Sequence, residues 1–225
     1  MWLNMEKPSR QKIINSIYTG IIEAQEEFYK GSRGLICWVH EYMITVNIYH
    51  SLLKLPAIDD TLGLEEKASD IEDYKRVRRG RKPACVCGRS RCDVVLWHAK
   101  KDGPRAVIEV KRWAEDCGSD IKRLEYFVSK VPSVEFCITA SCLFEKVKSN
   151  SGNNENKLQN RIKQLHVNIQ NRLVQSSVDV SLESTLSNIF HVKIPVYYGK
   201  TMKEDEWVWC PVIFKIYRKN IPTVS

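Results

Sequence analysis

This chain most plainly lacks a long apolar run. No stretch of its 225 residues approaches twenty consecutive hydrophobic residues, so no membrane-spanning helix is expected. The N-terminus turns polar at once, with Asn4, Glu6 and Lys7. No hydrophobic leader is visible there, and the expected location is cytoplasmic. Low-complexity tracts and internal repeats are also missing, which argues against disordered and fibrous classes. The eight cysteines follow no zinc-binding pattern: the densest group, Cys85-Val86-Cys87 with Cys92, has the spacing of neither a finger nor a ribbon. Cys92, Cys137, Cys142 and Cys210 lie in apolar runs and read as buried reduced thiols acting as small hydrophobes. No nucleic-acid recognition module is legible.

What is present is an ordinary globular composition, 43% hydrophobic and 28% charged, of a length that suits one domain with embellishments. The net charge of +8 favours a polyanionic partner. The excess is concentrated in Lys75, Arg76, Arg78, Arg79, Arg81 and Lys82, six cations within eight residues. Such a segment neutralises phosphates and gives affinity without sequence information; a solvated basic loop is the plainer alternative.

Two acidic positions stand out because of where they sit. Asp93 heads the apolar run Val94-Val95-Leu96-Trp97, and Glu109 follows Ala106-Val107-Ile108. Between them, Lys101-Asp102-Gly103-Pro104 carries the Asp-Gly pair of a hairpin turn. Folding there sets two strands side by side, with Asp93, Glu109 and Lys111 near one end. Acid-x-Lys triplets are common, and this chain has five. Only Glu109-Val110-Lys111 ends an apolar run with an Asp-headed partner upstream; the other four lie in polar, helix-like sequence. On a strand, Glu109 and Lys111 share a face at roughly 7 Å between Cα atoms. Carboxylates that converge without a cation favour a divalent metal, and an amine beside metal-bound water is suited to phosphodiester hydrolysis.

A third carboxylate is expected from a helix predicted over Leu35–Leu55, which has no internal Gly or Pro and ends before Pro56. At 100° per residue Glu41 shares its stripe with Cys37, Trp38, Ile44, Thr45, Ile48 and Leu52. A glutamate centred on an apolar face is costly to bury unless paired or metal-bound. Asp70, Glu72 and Asp73, in the acidic and loop-like stretch Asp59–Asp73, which has room for a short helix, are the alternatives.

Asp93 and Glu109-x-Lys111 in this context resemble the motif of the PD-(D/E)xK phosphodiesterases, the superfamily of restriction-endonuclease-like fold. Asp93 matches the first acid, Glu109 the second and Lys111 the lysine; Cys92 replaces the proline, which does no chemistry. The resemblance covers roughly residues 35–145 and singles out no subfamily. It implies an α/β fold, an α/β/α core with a mixed central sheet, over residues 35–148. A helical extension (1–34) precedes this core, and a helix plus β-hairpin (149–225) complete or cover it. It also implies Mg²⁺ or Mn²⁺ held by Asp93, Glu109, Glu41 and the Val110 carbonyl, with Lys111 acting on the attacking water. Arg91, Lys122 and Arg123 join the basic run as expected nucleic-acid contacts. The implied activity is DNA hydrolysis, as an endonuclease in restriction, phage defence, recombination or repair, with RNA left open. A homodimer suits duplex cutting, which needs two active sites. The alternative is a catalytically inactive nucleic-acid-binding or assembly subunit.

Element by element, a first helix is predicted over Ser9–Lys30, with Ser9 as N-cap and Gly31 as stop. Strands are predicted over Pro83–Gly88, Cys92–Ala99 and Arg105–Trp113. A helix is predicted over Ser119–Lys130, with Ile121, Leu124 and Val128 inward and Lys122 and Arg123 outward. A strand over Val134–Ser141 and a helix carrying Leu158, Ile162, Leu165, Ile169 and Leu173 follow. Val192–Tyr198 and Trp207–Tyr217 form a final hairpin.

Overall fold

Ser9 opens the first helix, α1 (Arg10–Ser32), by accepting the Lys12 N–H on its hydroxyl, the usual service of an N-cap serine. The helix runs past Gly31 and is closed by Arg33 in the left-handed conformation (φ 57°), whose N–H returns to the Tyr29 carbonyl. The computed structural model describes residues 7–38, 40–56, 62–73, 90–98, 103–114, 118–147, 154–174, 180–186, 188–198 and 200–218. The predicted strand at Pro83–Gly88 and the basic run Lys75–Lys82 lie outside them.

The single helix predicted over Leu35–Leu55 is replaced by a 3₁₀ turn (Ile36–Trp38) and a separate helix, α2 (Glu41–Leu53), entered through an extended His40. The cause is the buried Gln25 side chain, which donates to the Gly34 carbonyl and accepts the Ile36 N–H. With that donor committed, the chain turns before α2 begins. Trp38, expected on the buried stripe, is therefore half exposed. Helices α1 and α2 approach closely at Gly20, where an added Cβ would stand 2.5 Å from the Ile48 Cα.

The acidic stretch expected to be loop-like with room for a short helix holds that helix, α3 (Ala68–Asp73), but its preceding residues form strand β1 (Leu62–Lys67). Every position of β1 is at least partly exposed, so the sequence carries no alternation, and the strand forms by pairing antiparallel with β2 (Arg91–Trp97). The turn to β3 (Pro104–Val110) uses Gly103 at φ 116°, a backbone conformation that suits glycine. Strand β3 stops at Val110, short of the predicted Trp113. Helix α4 (Gly118–Lys130) then carries the chain to β4 (Phe136–Lys146), which lies parallel to β3.

Helix α5 (Asn154–Val174) and three more strands complete the chain: β5 (Val180–Leu186), β6 (Phe190–Tyr198) and β7 (Thr201–Arg218). Strand β5 was not anticipated from sequence. The long β7 pairs with β4, β5 and β6. Among the described residues seven strands form one mixed, mostly antiparallel sheet in the order β1-β2-β3-β4-β7-β5, with β6 on β7.

Helices cover both faces. On one, Ile13, Ile17, Ile21, Ile44 and Ile48 of α1 and α2 pack on Val94, Ile108, Val110 and Ile138. On the other, Ile121, Leu124, Phe127 and Ile162 of α4 and α5 pack on Val95, Val107, Cys137 and Phe214. Each such side chain contributes about 1.5–3 kcal/mol when fully buried. The fold is mixed α/β, and α1 belongs to a core layer. Cys37, Cys92, Cys137, Cys142 and Cys210 are buried and unbridged, and burial pushes their thiols up. No helix among the described residues is long and apolar enough to cross a membrane.

Candidate active site

Strands β2 and β3 pair from Trp97 and Pro104 to Val94 and Ile108, and then they part. The next free donor on β3, the Val110 N–H, goes to the Asp93 carboxylate at 2.6 Å rather than to a backbone carbonyl of β2. The Lys111 N–H goes to the Ala140 carbonyl of β4. The end of β3 thus stays with its parallel neighbour and leaves β2, and Asp93 fills the opening. Opposite, β1 carries Glu65 at φ 55°, and Arg91 donates to the Glu65 carbonyl.

Glu109 lies on the same strand face as Val107, beneath α4, and is 1% exposed. By sequence this carboxylate is expected to lack a cation, but the structure provides one. Arg123, expected to face outward toward nucleic acid, instead turns inward, with Nη2 at 2.6 Å from Glu109 Oε1 and 2.9 Å from Asp120 Oδ1. One guanidinium nitrogen thus serves both carboxylates. Glu109 Oε1 and Arg123 Nε are both buried without a hydrogen bond, and so is the Thr139 hydroxyl at the register position beside Glu109.

Lys111 follows β3 and bridges two carboxylates, Asp120 Oδ2 at 3.0 Å and Glu41 Oε1 at 3.6 Å. Glu41 opens α2, where an acid suits the helix N-terminus, and its Oε2 accepts the Arg112 N–H at 3.4 Å. It is therefore not centred on an apolar face, as expected from sequence. Its side chain remains 38% exposed at the rim.

Among these contacts four carboxylates, Asp93, Glu109, Asp120 and Glu41, meet two cations, Lys111 and Arg123. The imbalance is visible in the acids. Burial pushes the Asp93 carboxyl up to about 6, and Glu41 and Glu65 add to this against the Val110 N–H and Lys111. Burial, followed by repulsion from Asp93, pushes Glu109 well above the usual range despite Arg123. The two motif acids are thus close enough to repel each other. Burial alone would lower the Lys111 ammonium, but Asp120 and Glu41 outweigh it and hold the group charged.

The remaining expected residues lie elsewhere. Arg91 and Lys122 are exposed. Asp70 is exposed and bonded to Ser69, and the side chains of Glu72 and Asp73 lie outside the described residues. His98 bonds the Ser133 carbonyl, away from the carboxylates. By sequence, Asp120 is expected to open a helix with Lys122 and Arg123 and to line the groove beside them, and Glu65 to belong to a solvated acid-x-Lys triplet. Among the described residues no three His, Cys, Asp or Glu side chains already stand at cation-binding spacing. The chain matches no protein-family model, no curated protein and no solved structure.

Proposed function

We propose that this chain is a divalent-cation-dependent phosphodiesterase acting on DNA, organised as a PD-(D/E)xK nuclease. The observation that carries the reading is the parting of β2 and β3 at Asp93 and Val110, with Glu109 and Lys111 on the same short segment and, among the described contacts, carboxylates outnumbering cations around it. The order α2, three antiparallel strands with the short α3 after the first, α4, then β4 parallel to β3 supports it, being the arrangement expected of that fold.

The donor set fits Mg²⁺ or Mn²⁺. Carboxylates that repel one another in a partly desolvated place favour a hard cation, and Glu109 Oε1 is buried with no aligned hydrogen bond. Asp93 and Glu109 would hold the ion, with Glu41 and the Val110 carbonyl as further oxygen donors. Bound there, the ion supplies Lewis acidity toward a phosphoryl oxygen and a water of lowered pKa. Lys111, kept as an ammonium by Asp120 and Glu41, orients the attacking water and stabilises negative charge gathering on the phosphoryl oxygens. The net charge of +8 draws the polyanion toward a centre that is itself acidic.

The test is incubation of the purified chain with plasmid, linear duplex, single-stranded DNA and RNA, with and without Mg²⁺ or Mn²⁺. Cation-dependent cleavage of DNA that is lost in Asp93→Asn is the expected result. No cleavage of any substrate under any of these conditions removes the catalytic reading. The Glu109–Arg123 contact favours a second reading, a nucleic-acid-binding subunit whose site is closed by its own arginine. That reading predicts DNA retention without cation dependence.

A further inference from the structure

Arg123 lies outside the three-residue motif, yet it is the side chain closest in charge contact to the motif's central acid. Its guanidinium spans Glu109 and Asp120 at 2.6 and 2.9 Å, with only 12% of the side chain exposed. A settled buried ion pair has its donors and acceptors aligned. Here Glu109 Oε1, Arg123 Nε and the neighbouring Thr139 hydroxyl are all buried without a hydrogen bond. One nitrogen of the guanidinium, Nη2, serves both carboxylates while Nε has no acceptor, so Arg123 is shared between Glu109 and Asp120 rather than committed to either.

Accepting the cation-site reading above, we propose that Arg123 is a resident counter-cation of this site: it holds the position of positive charge beside Glu109 until a divalent ion displaces it. Glu109 is too deeply buried to stay ionised alone, and Arg123 sits on a different element, so its side chain can leave while β3 stays fixed. Displacement frees the guanidinium, which remains tethered to Asp120 at the first turns of α4, within reach of an incoming phosphate. Two cations then compete for one carboxylate. Apparent divalent affinity is set by the difference between them, as for any ligand that must displace a prior occupant.

The experiment is calorimetric titration of the full chain with Mn²⁺, comparing wild type, Arg123→Met and Asp93→Asn, with melting temperatures taken with and without Mn²⁺. Methionine keeps much of the arginine volume and removes the charge. Arg123→Met is expected to bind Mn²⁺ about tenfold more tightly, to melt several degrees lower without metal, and to recover most of that loss in saturating Mn²⁺. Equal or weaker Mn²⁺ binding by Arg123→Met, with binding still abolished in Asp93→Asn, overturns the counter-cation role and leaves the nuclease reading standing. Absence of Mn²⁺ binding in both wild type and Arg123→Met overturns both. If Arg123→Met does not fold, the wild-type chain decides. The Arg123 Nε–H resonance, assigned by its loss in Arg123→Lys, is expected to shift on Mg²⁺ addition. A resonance unmoved at saturating Mg²⁺ overturns the displacement.

Discussion

Strand β3 ends in opposite electrostatic surroundings. At its start Arg105 is buried and pairs with Glu135 at 3.3 Å, and the same carboxylate meets Lys7 at 2.6 Å and Arg10 at 3.9 Å. One acid there serves three cations, and its carboxyl is held below the usual range: Lys7 and Arg105 outweigh the rise that burial causes. At the far end, among the described contacts, four carboxylates share Lys111 and Arg123, and Asp93 is pushed up to about 6. Few residues separate the two clusters along one strand, yet the acids shift in opposite directions. A saturated carboxylate holds the fold together. An undersupplied one costs stability, and a place that keeps such a cost is a candidate for function.

The sharpest way to break this contrast is to remove one charge from each end. Lys111→Ala is expected to lower cleavage about a thousandfold and to lower stability as well, because Asp120 and Glu41 lose their shared ammonium. Plasmid cleavage alongside thermal melting reads both effects. Retention of full cleavage would place Lys111 with the structural charges. Glu135→Gln should do the reverse, leaving Arg105 buried with no carboxylate at a cost of about 3 kcal/mol. That corresponds to a melting temperature lower by roughly 6–12 °C, with cleavage at permissive temperature unchanged.

Acid titration compares the two ends without a large loss of structure. A carboxyl raised from 3.8 to about 6 binds a proton in the folded chain that the unfolded chain releases, so the fold loses stability as pH rises from about 4 to about 6. Glu135, depressed in the fold, contributes stability above the unfolded carboxyl value and loses it as pH falls. Asp93→Asn keeps an acceptor for the Val110 N–H and removes the ionisation. It is expected to match wild type near pH 4 and to exceed it by about 2 kcal/mol at pH 8. Urea unfolding at the two pH values measures this. A variant less stable than wild type at both would show that Asp93 is a supporting ion like Glu135.

What could be read from the sequence follows how local each feature is. The hairpin from Arg91 to Val110 was legible because apolar runs and an Asp-Gly turn sit within twenty residues. The placement of Glu109 beside Lys111 followed from strand geometry alone. Strand β1 was hidden because Leu62–Lys67 has no buried position to create alternation. The break before α2 was hidden because Gln25, in another helix, causes it. Arg123 was misread for the same reason. On α4 it neighbours the exposed Lys122, and only the packing of α4 over β3 shows that its charge turns toward Glu109. Charge pairing between distant elements leaves no periodic trace in one sequence, so the balance of the site had to come from the structure.

The smallest expected effect tests whether supply, rather than mere contact, is what differs between the two ends. Lys7 makes the shortest contact to Glu135, at 2.6 Å, yet its side chain is 47% exposed. Arg105 and Arg10 continue to face the same carboxylate when Lys7 is removed. Water screens an exposed ammonium and entropy opposes fixing it, so Lys7→Ala should cost no more than about 0.5 kcal/mol, about 1–2 °C in melting temperature. If the loss instead approaches that of Glu135→Gln, Glu135 depends on Lys7 as Glu109 depends on Arg123, and the contrast in supply disappears. If it stays small while Arg123→Met melts several degrees lower, redundancy protects one end of β3 and its absence exposes the other.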